Sequence, residues 1–327
     1  MVLYFGRATR VFFRTLPFVA LRIVVGVSFG LATVVYFGII GWLVLTLFDA
    51  ETVSGPIGGI GLLVATLLFL VAMRFARRYV LYMVAAGHIA VIAHVVETGE
   101  TPPNQIAFGT NTVRDGFTES NALFAVDQLI KASIKQFNGT VVPPSRWVRF
   151  VPALGHVLTV LRKGLALAAT YLDEAILAYV FVSDEEDNWR AARDGVVLYA
   201  KTWKSVLGST LLIVGGTYVV GFVLLLSLTP LAAVFGGLSP AFEVLGWVVV
   251  AGVAVAIYLG VLRPWIKTVM ITTFLLESRG LTPDSETMGF IAGRSDGFGR
   301  LVANVEAGEP DERHADPDPL GEGRSSG

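Results

Sequence analysis

The chain has 327 residues, 54% hydrophobic and 16% charged, with a formal net charge of −1 and no cysteine. A soluble domain carries about a quarter charged residues, so a mean hydropathy of +0.66 places much of this surface in something other than water. The arithmetic excludes a disordered chain, a disulfide-stapled secreted domain, an ordinary cytosolic enzyme and thiolate metal sites, and it gives no reason to expect a nucleic-acid partner.

Residues 1–22 read as a basic amphipathic helix, with Arg7, Arg10 and Arg14 set among Val11, Phe12, Phe13 and Leu16. No small-residue cleavage site follows, so the expectation is an interfacial anchor on an anionic inner leaflet.

Residues 23–96 form a first transmembrane hairpin with a helical extension. No Lys or Arg occurs from 23 to 73. That length holds two spans of about 20 residues, at 23–48 and 60–78, joined by a turn at 49–59. Gly26 and Gly30 make a G-x-x-x-G pattern in the first span, a candidate helix-packing seam within the chain or between copies. Arg74, Arg77 and Arg78 share one helix face and are candidates for lipid headgroups. Residues 79–96 are expected to extend the helix until Thr101, Pro102 and Pro103 end it. His88 and His94 lie six apart and do not converge as a zinc pair would, so neither a metal nor a cofactor is expected.

Residues 97–204 are expected to be cytoplasmic or interfacial. The stretch 122–137 is an amphipathic helix with Leu123, Val126, Ile130, Ile134 and Phe137 on one face and Asp127, Lys131 and Lys135 off it; Asn138 and Gly139 are expected to end it. The apolar runs 147–161 and 164–182 either lie at the inner interface, the favoured disposition, or form a re-entrant or crossing hairpin over 147–182. Asp173 and Glu174 sit in the second run and are candidate pathway residues, since an intramembrane carboxylate is costly and usually functional. Their alternative role is pairing with Arg162 or Lys163. Starting from a capping box at 183–186, a second basic amphipathic helix carries Trp189, Ala192, Val196, Tyr199 and Trp203 at helical spacing. Trp189 and Trp203 are candidate headgroup contacts.

Residues 205–279 repeat the plan of the first hairpin, with no basic residue from 205 to 262. Spans are expected at 205–228 and 244–262 around a turn containing Pro230 and Pro240. Gly215 and Gly216 are candidates for a helix break at a pathway or for a tight crossing. Residues 280–327 read as a cytoplasmic tail, disordered from about residue 306, where acidic residues and prolines accumulate.

The positive-inside rule puts both turns outside and both termini in the cytoplasm. The expected fold is therefore all-α: a polytopic transmembrane helical bundle with four spans, or six if 147–182 crosses twice, plus amphipathic interfacial helices in a plasma membrane.

Residues 106–109 (IAFG), 171–175 (YLDEA), 192–195 (ARDG) and 273–277 (TFLLE), with the hairpin between the last two, resemble the shared domain of choline-transporter-like membrane proteins over about residues 105–280. The resemblance implies a membrane domain in which two helices precede a hairpin and a final acidic segment. That family is longer, with more spans and a large external loop, so no binding residue transfers. Residues 189–193 (WRAAR) are also similar to a helix found before a span in uncharacterised prokaryotic membrane proteins.

No nucleophile, phosphate-loop or dinucleotide motif is present, so the chain does not read as an enzyme. Two functions compete. The favoured one is a transporter or channel for a small solute or ion, with the pathway between the hairpins, by the base rate for polytopic proteins rather than by any residue. The other is a non-transporting scaffold or assembly subunit that acts through lipid and protein contacts, as a homo-oligomer joined along Gly26 and Gly30.

Overall fold

A computed structural model describes residues 4–49, 55–118, 122–141, 171–185, 187–237 and 239–308. The order is α1 (Phe5–Arg14), α2 (Leu16–Asp49), α3 (Gly55–Thr98), α4 (Gln105–Thr118), α5 (Ala122–Val141), α6 (171–182), α7 (Asn188–Gly236), α8 (Pro240–Ile257), α9 (Arg263–Glu277), α10 (Ser285–Ala292) and α11 (Asp296–Gly308). Among the described residues there is no strand, and four helices are long and apolar enough to cross a membrane.

Local chemistry sets the breaks. Pro17 lacks an N–H and fits only the first turn of a helix, so the chain resets at Thr15, whose N–H caps α1 on Val11 O and Phe12 O. Helix α3 is 44 residues long, about 66 Å at 1.5 Å per residue, and stops where Gly99 takes a positive φ of 77°. Asp187 caps α7 by accepting from Trp189 N. The helix therefore begins just after the expected capping box, whose Ser183 instead closes a turn onto Glu185 N.

Helix α7 then runs 49 residues to Gly236 and passes through Pro230, which the sequence reading had assigned to the outer turn. In an apolar medium a helix is the cheapest way to satisfy the backbone, and one missing N–H near its end is tolerated. Ser239 caps α8 with Pro240 in its first turn. Between α8 and α9 the ladder slips to a π-turn at Tyr258–Leu262, where Arg263 N bonds Tyr258 O. Pro264 cannot complete the i→i−4 bond that would follow.

Each hairpin packs within itself. Tyr36 and Phe69 stack at 3.6 Å between α2 and α3, while α7 and α8 cross at Ala232 and Gly246, where a Cβ on Gly246 would meet Ala232 Cα at 3.0 Å. Among the described residues the two hairpins make no extended contact with each other along their apolar lengths. In the most apolar stretch of the four spans, 0%, 0%, 6% and 11% of residues are buried.

Below the spans the other helices, with the ends of α3 and α7, enclose one hydrophobic core around Ile92, Ile130, Leu172, Tyr199, Phe274 and Phe298. Several expectations change here. The apolar stripe of the N-terminal segment is divided: Ala8, Val11 and Phe12 are buried, Trp265 Nε1 donates to Thr9 Oγ1 at 3.0 Å and Phe5 stacks on Trp265, while Phe13 and Leu16 are exposed. Likewise Ala192, Val196 and Tyr199 of α7 are core residues. Helix α5 passes Asn138 and Gly139 to Val141, because buried Asn138 accepts the Tyr199 hydroxyl at 2.7 Å rather than capping a turn. Residues 285–308, read as part of a tail, form α10 and α11; Gln136 Oε1 receives Ser295 Oγ and Gly297 N, each at 2.8 Å. Leu123's side chain, the 147–170 part of the candidate hairpin, and residues 309–327 lie outside what is described.

Candidate functional site

Where the feet of the hairpins enter the head, charges that an apolar core would reject are gathered from four helices. Asp127 and Lys131 stand one turn apart on α5, with Lys131 Nζ 2.5 Å from Asp127 Oδ2. The same ammonium lies 3.5 Å from Asp173 Oδ2 on α6. Lys267 on α9 donates to Glu174 Oε1. Asp127 and Asp173 are 1% and 2% exposed, and Lys267 is 6% exposed. Asp173 also bends back to accept Glu174 N at 2.9 Å through Oδ1.

Burial controls the proton affinities. It pushes Asp173 up to about 8, helped by the neighbouring Glu174 charge and opposed by Lys131. Asp127 is raised by the same cause, with Lys131 working against it. Lys131 loses solvation too, yet Asp127, Asp173 and Glu174 outweigh that loss and hold it above the ordinary lysine value. Removing water without supplying a counter-charge favours the neutral form, and a paired cation reverses this.

Two more cations complete the junction. Arg22 of α2 interacts with Arg263 and Glu174, and both arginines are half-buried. Glu174 keeps one buried oxygen, Oε2, without a hydrogen-bond partner among the described residues. His88 is spent on packing, its Nε2 3.1 Å from Thr15 Oγ1 and its ring stacked on Phe18. His94 packs against Phe108 at 4.7 Å. Among the described residues no group of three or more acidic or histidine side chains could hold a metal.

Asp173 and Glu174 are thus brought together, with Lys131 and Lys267 as partners; Arg162 and Lys163 lie outside the described residues. Gly215 and Gly216 lie in the unbroken α7, with nothing within 4 Å of an added Cβ. Neither a helix break nor a tight crossing is found at that pair. Gly26 and Gly30 are open in the same sense, so no seam within the chain forms there. Arg74, Arg77 and Arg78 are exposed on α3. Trp203 stands two residues before the basic-free window, whereas Trp189 is about 21 Å further down α7. There it lines a polar cleft of about 940 Å³ with Asp184, Asp187 and Arg190.

The sequence reading missed Asp127, Lys131, Lys267, Arg22 and Arg263. Lys267 had a signal, being the one charge between Arg263 and Glu277 in an apolar helix. Asp127 and Lys131 had another, their i,i+4 spacing beside a core-facing stripe.

An all-helical chain with four apolar helices above a folded polar head has the make-up of a multi-pass integral membrane protein. No family model matches the chain, and no curated protein or solved structure matches it either.

Proposed function

We propose that this is a multi-pass plasma-membrane protein, with its head and both termini in the cytoplasm, that acts as a non-transporting scaffold or assembly subunit. The observation carrying this reading is the separation of the hairpins. Each presents apolar surface on nearly every side, such as Leu31, Val34, Leu67, Val219 and Val248, and among the described residues the two make no extended contact along those lengths. Membrane helices associate through close packing of small residues, and the open faces at Gly26 and Gly30 suit a second copy. The orientation rests on charge: the segments between paired spans carry no basic residue, while Arg22, Arg74, Arg77, Arg78 and Arg263 lie at the head side.

A transporter reading asks for a break at Gly215 and Gly216 and for carboxylates facing a cavity between spans. Helix α7 is continuous there, and Asp173 and Glu174 are engaged by lysines in the head. The deciding experiment is the oligomeric state of the full chain after gentle solubilisation, measured by light scattering with detergent correction. A stable oligomer that Gly26→Ile with Gly30→Ile dissociates supports the proposal. A strict monomer that conducts a solute in proteoliposomes overturns it.

A further inference from the structure

Arg22 and Arg263 are the residues at which the two basic-free windows begin and end, since no Lys or Arg occurs at 23–73 or 205–262. They belong to different hairpins, yet the fold brings them together. Helix α2 meets the π-turn there, with Ile23 Cδ1 3.8 Å from the position of a Cβ on Gly260. The Arg22 guanidinium also feels the positive charge of Arg263. Among the described residues neither lies within ion-pair distance of a carboxylate. The acid between them, Glu174, is already engaged by Lys267. On the arginine side of the junction the two guanidiniums therefore have no carboxylate of their own among the described residues.

We propose that Arg22 and Arg263 together bind the phosphate of an anionic membrane lipid, seated at the boundary where the two hairpins meet the head. Guanidinium forks match phosphate oxygens bidentately, and a phosphodiester supplies the counter-charge that this arginine pair lacks. The hairpins leave room above for acyl chains, because among the described residues they make no extended contact along their apolar lengths. A free phosphate ion offers the same chemistry from the aqueous side. The proposal rests on the four helices crossing the bilayer, and it is separate from self-association.

The test is native mass spectrometry of the full chain released from detergent after titration with palmitoyl-oleoyl phosphatidylglycerol or the matching phosphatidylcholine. The wild type is expected to retain phosphatidylglycerol about tenfold more tightly, a difference that corresponds to about 1.4 kcal/mol. Arg22→Gln with Arg263→Gln abolishes the preference, and Arg74→Gln with Arg77→Gln and Arg78→Gln leaves it intact. Arg22→Lys with Arg263→Lys keeps the charge but loses the fork, and binds measurably more weakly. If inorganic phosphate at millimolar concentration competes with the lipid and raises the melting temperature of delipidated protein, the free ion is the source; if it does neither, the lipid is. Unchanged retention in the folded Gln pair overturns the proposal. So does unchanged retention in the Lys pair should the Gln pair not fold, or an equal loss in the Arg74, Arg77 and Arg78 variant. The same spectra report the oligomeric state, so failure of this site and failure of the assembly reading are read apart.

Discussion

Lys267 Nζ donates to Glu174 Oε1 across 93 residues of sequence, tying the foot of the second hairpin to the buried helix α6. Both side chains are largely withdrawn from solvent, at 8% and 18% exposure. Breaking a buried pair from one side leaves an uncompensated charge, whereas replacing both partners by apolar groups is often neutral.

Lys267→Met is therefore expected to destabilise the fold by about 3 kcal/mol. Adding Glu174→Leu should recover most of that loss. Chemical unfolding followed by helical circular dichroism in detergent measures both. Equal stability of Lys267→Met and the wild type would show that the pair does not hold α6 and α9 together.

The pH dependence follows from Asp173. Its affinity rises from an ordinary 3.8 to about 8 on burial, so between those values the folded state holds a proton that the unfolded state has released. Folding stability then falls as pH climbs from about 4 to about 8 and levels off beyond. Asp127 is shifted the same way and adds to the slope. Asp173→Asn should flatten it. A melting series across that range tests the sign, and a steeper fall in the Asn variant would contradict it.

The spans were legible because a bilayer imposes a rule on the sequence itself: residues 23–73 and 205–262 lack basic charge whatever they pack against. The head was legible only as helices. An apolar stripe flanked by arginine, as in α1 or the first half of α7, suits a lipid surface and a protein core equally, and only tertiary contact distinguishes them. The junction was less legible still. Asp127 sits at the edge of its helix's apolar face beside Val126, where spacing assigns it to water, and the groups that bury it come from α6 and from elements far along the chain. Gly215 and Gly216 show the reverse case: glycines suggest a break, but a long helix in an apolar stretch absorbs them.

Glycine packing gives an internal contrast. A Cβ on Gly109 would lie 2.5 Å from Gly87 O and 2.7 Å from Phe18 Cζ, where α3, α4 and α2 meet. Gly109→Ala should cost about 1–3 kcal/mol through overpacking. Gly26→Ala has nothing within 4 Å to disturb and should change the stability of a single copy by less than about 0.5 kcal/mol. Comparing the two in thermal melts of solubilised protein checks the crossing. A tolerated Gly109→Ala would mean that the α3–α4 contact is looser than described.

The absence of cysteine makes orientation directly measurable. Glu243 is exposed at the start of α8, while Lys135 on α5 and Arg300 on α11 are exposed on the head. With the head in the cytoplasm, a membrane-impermeant maleimide added to intact cells should label Glu243→Cys and leave Lys135→Cys and Arg300→Cys untouched until the membrane is permeabilised. The cytoplasmic leaflet attracts basic segments by about 1 kcal/mol for each Lys or Arg near its surface, and five arginines lie at the head side. Labelling of the two head cysteines from outside would invert the topology and, with it, move the arginine junction to the opposite leaflet.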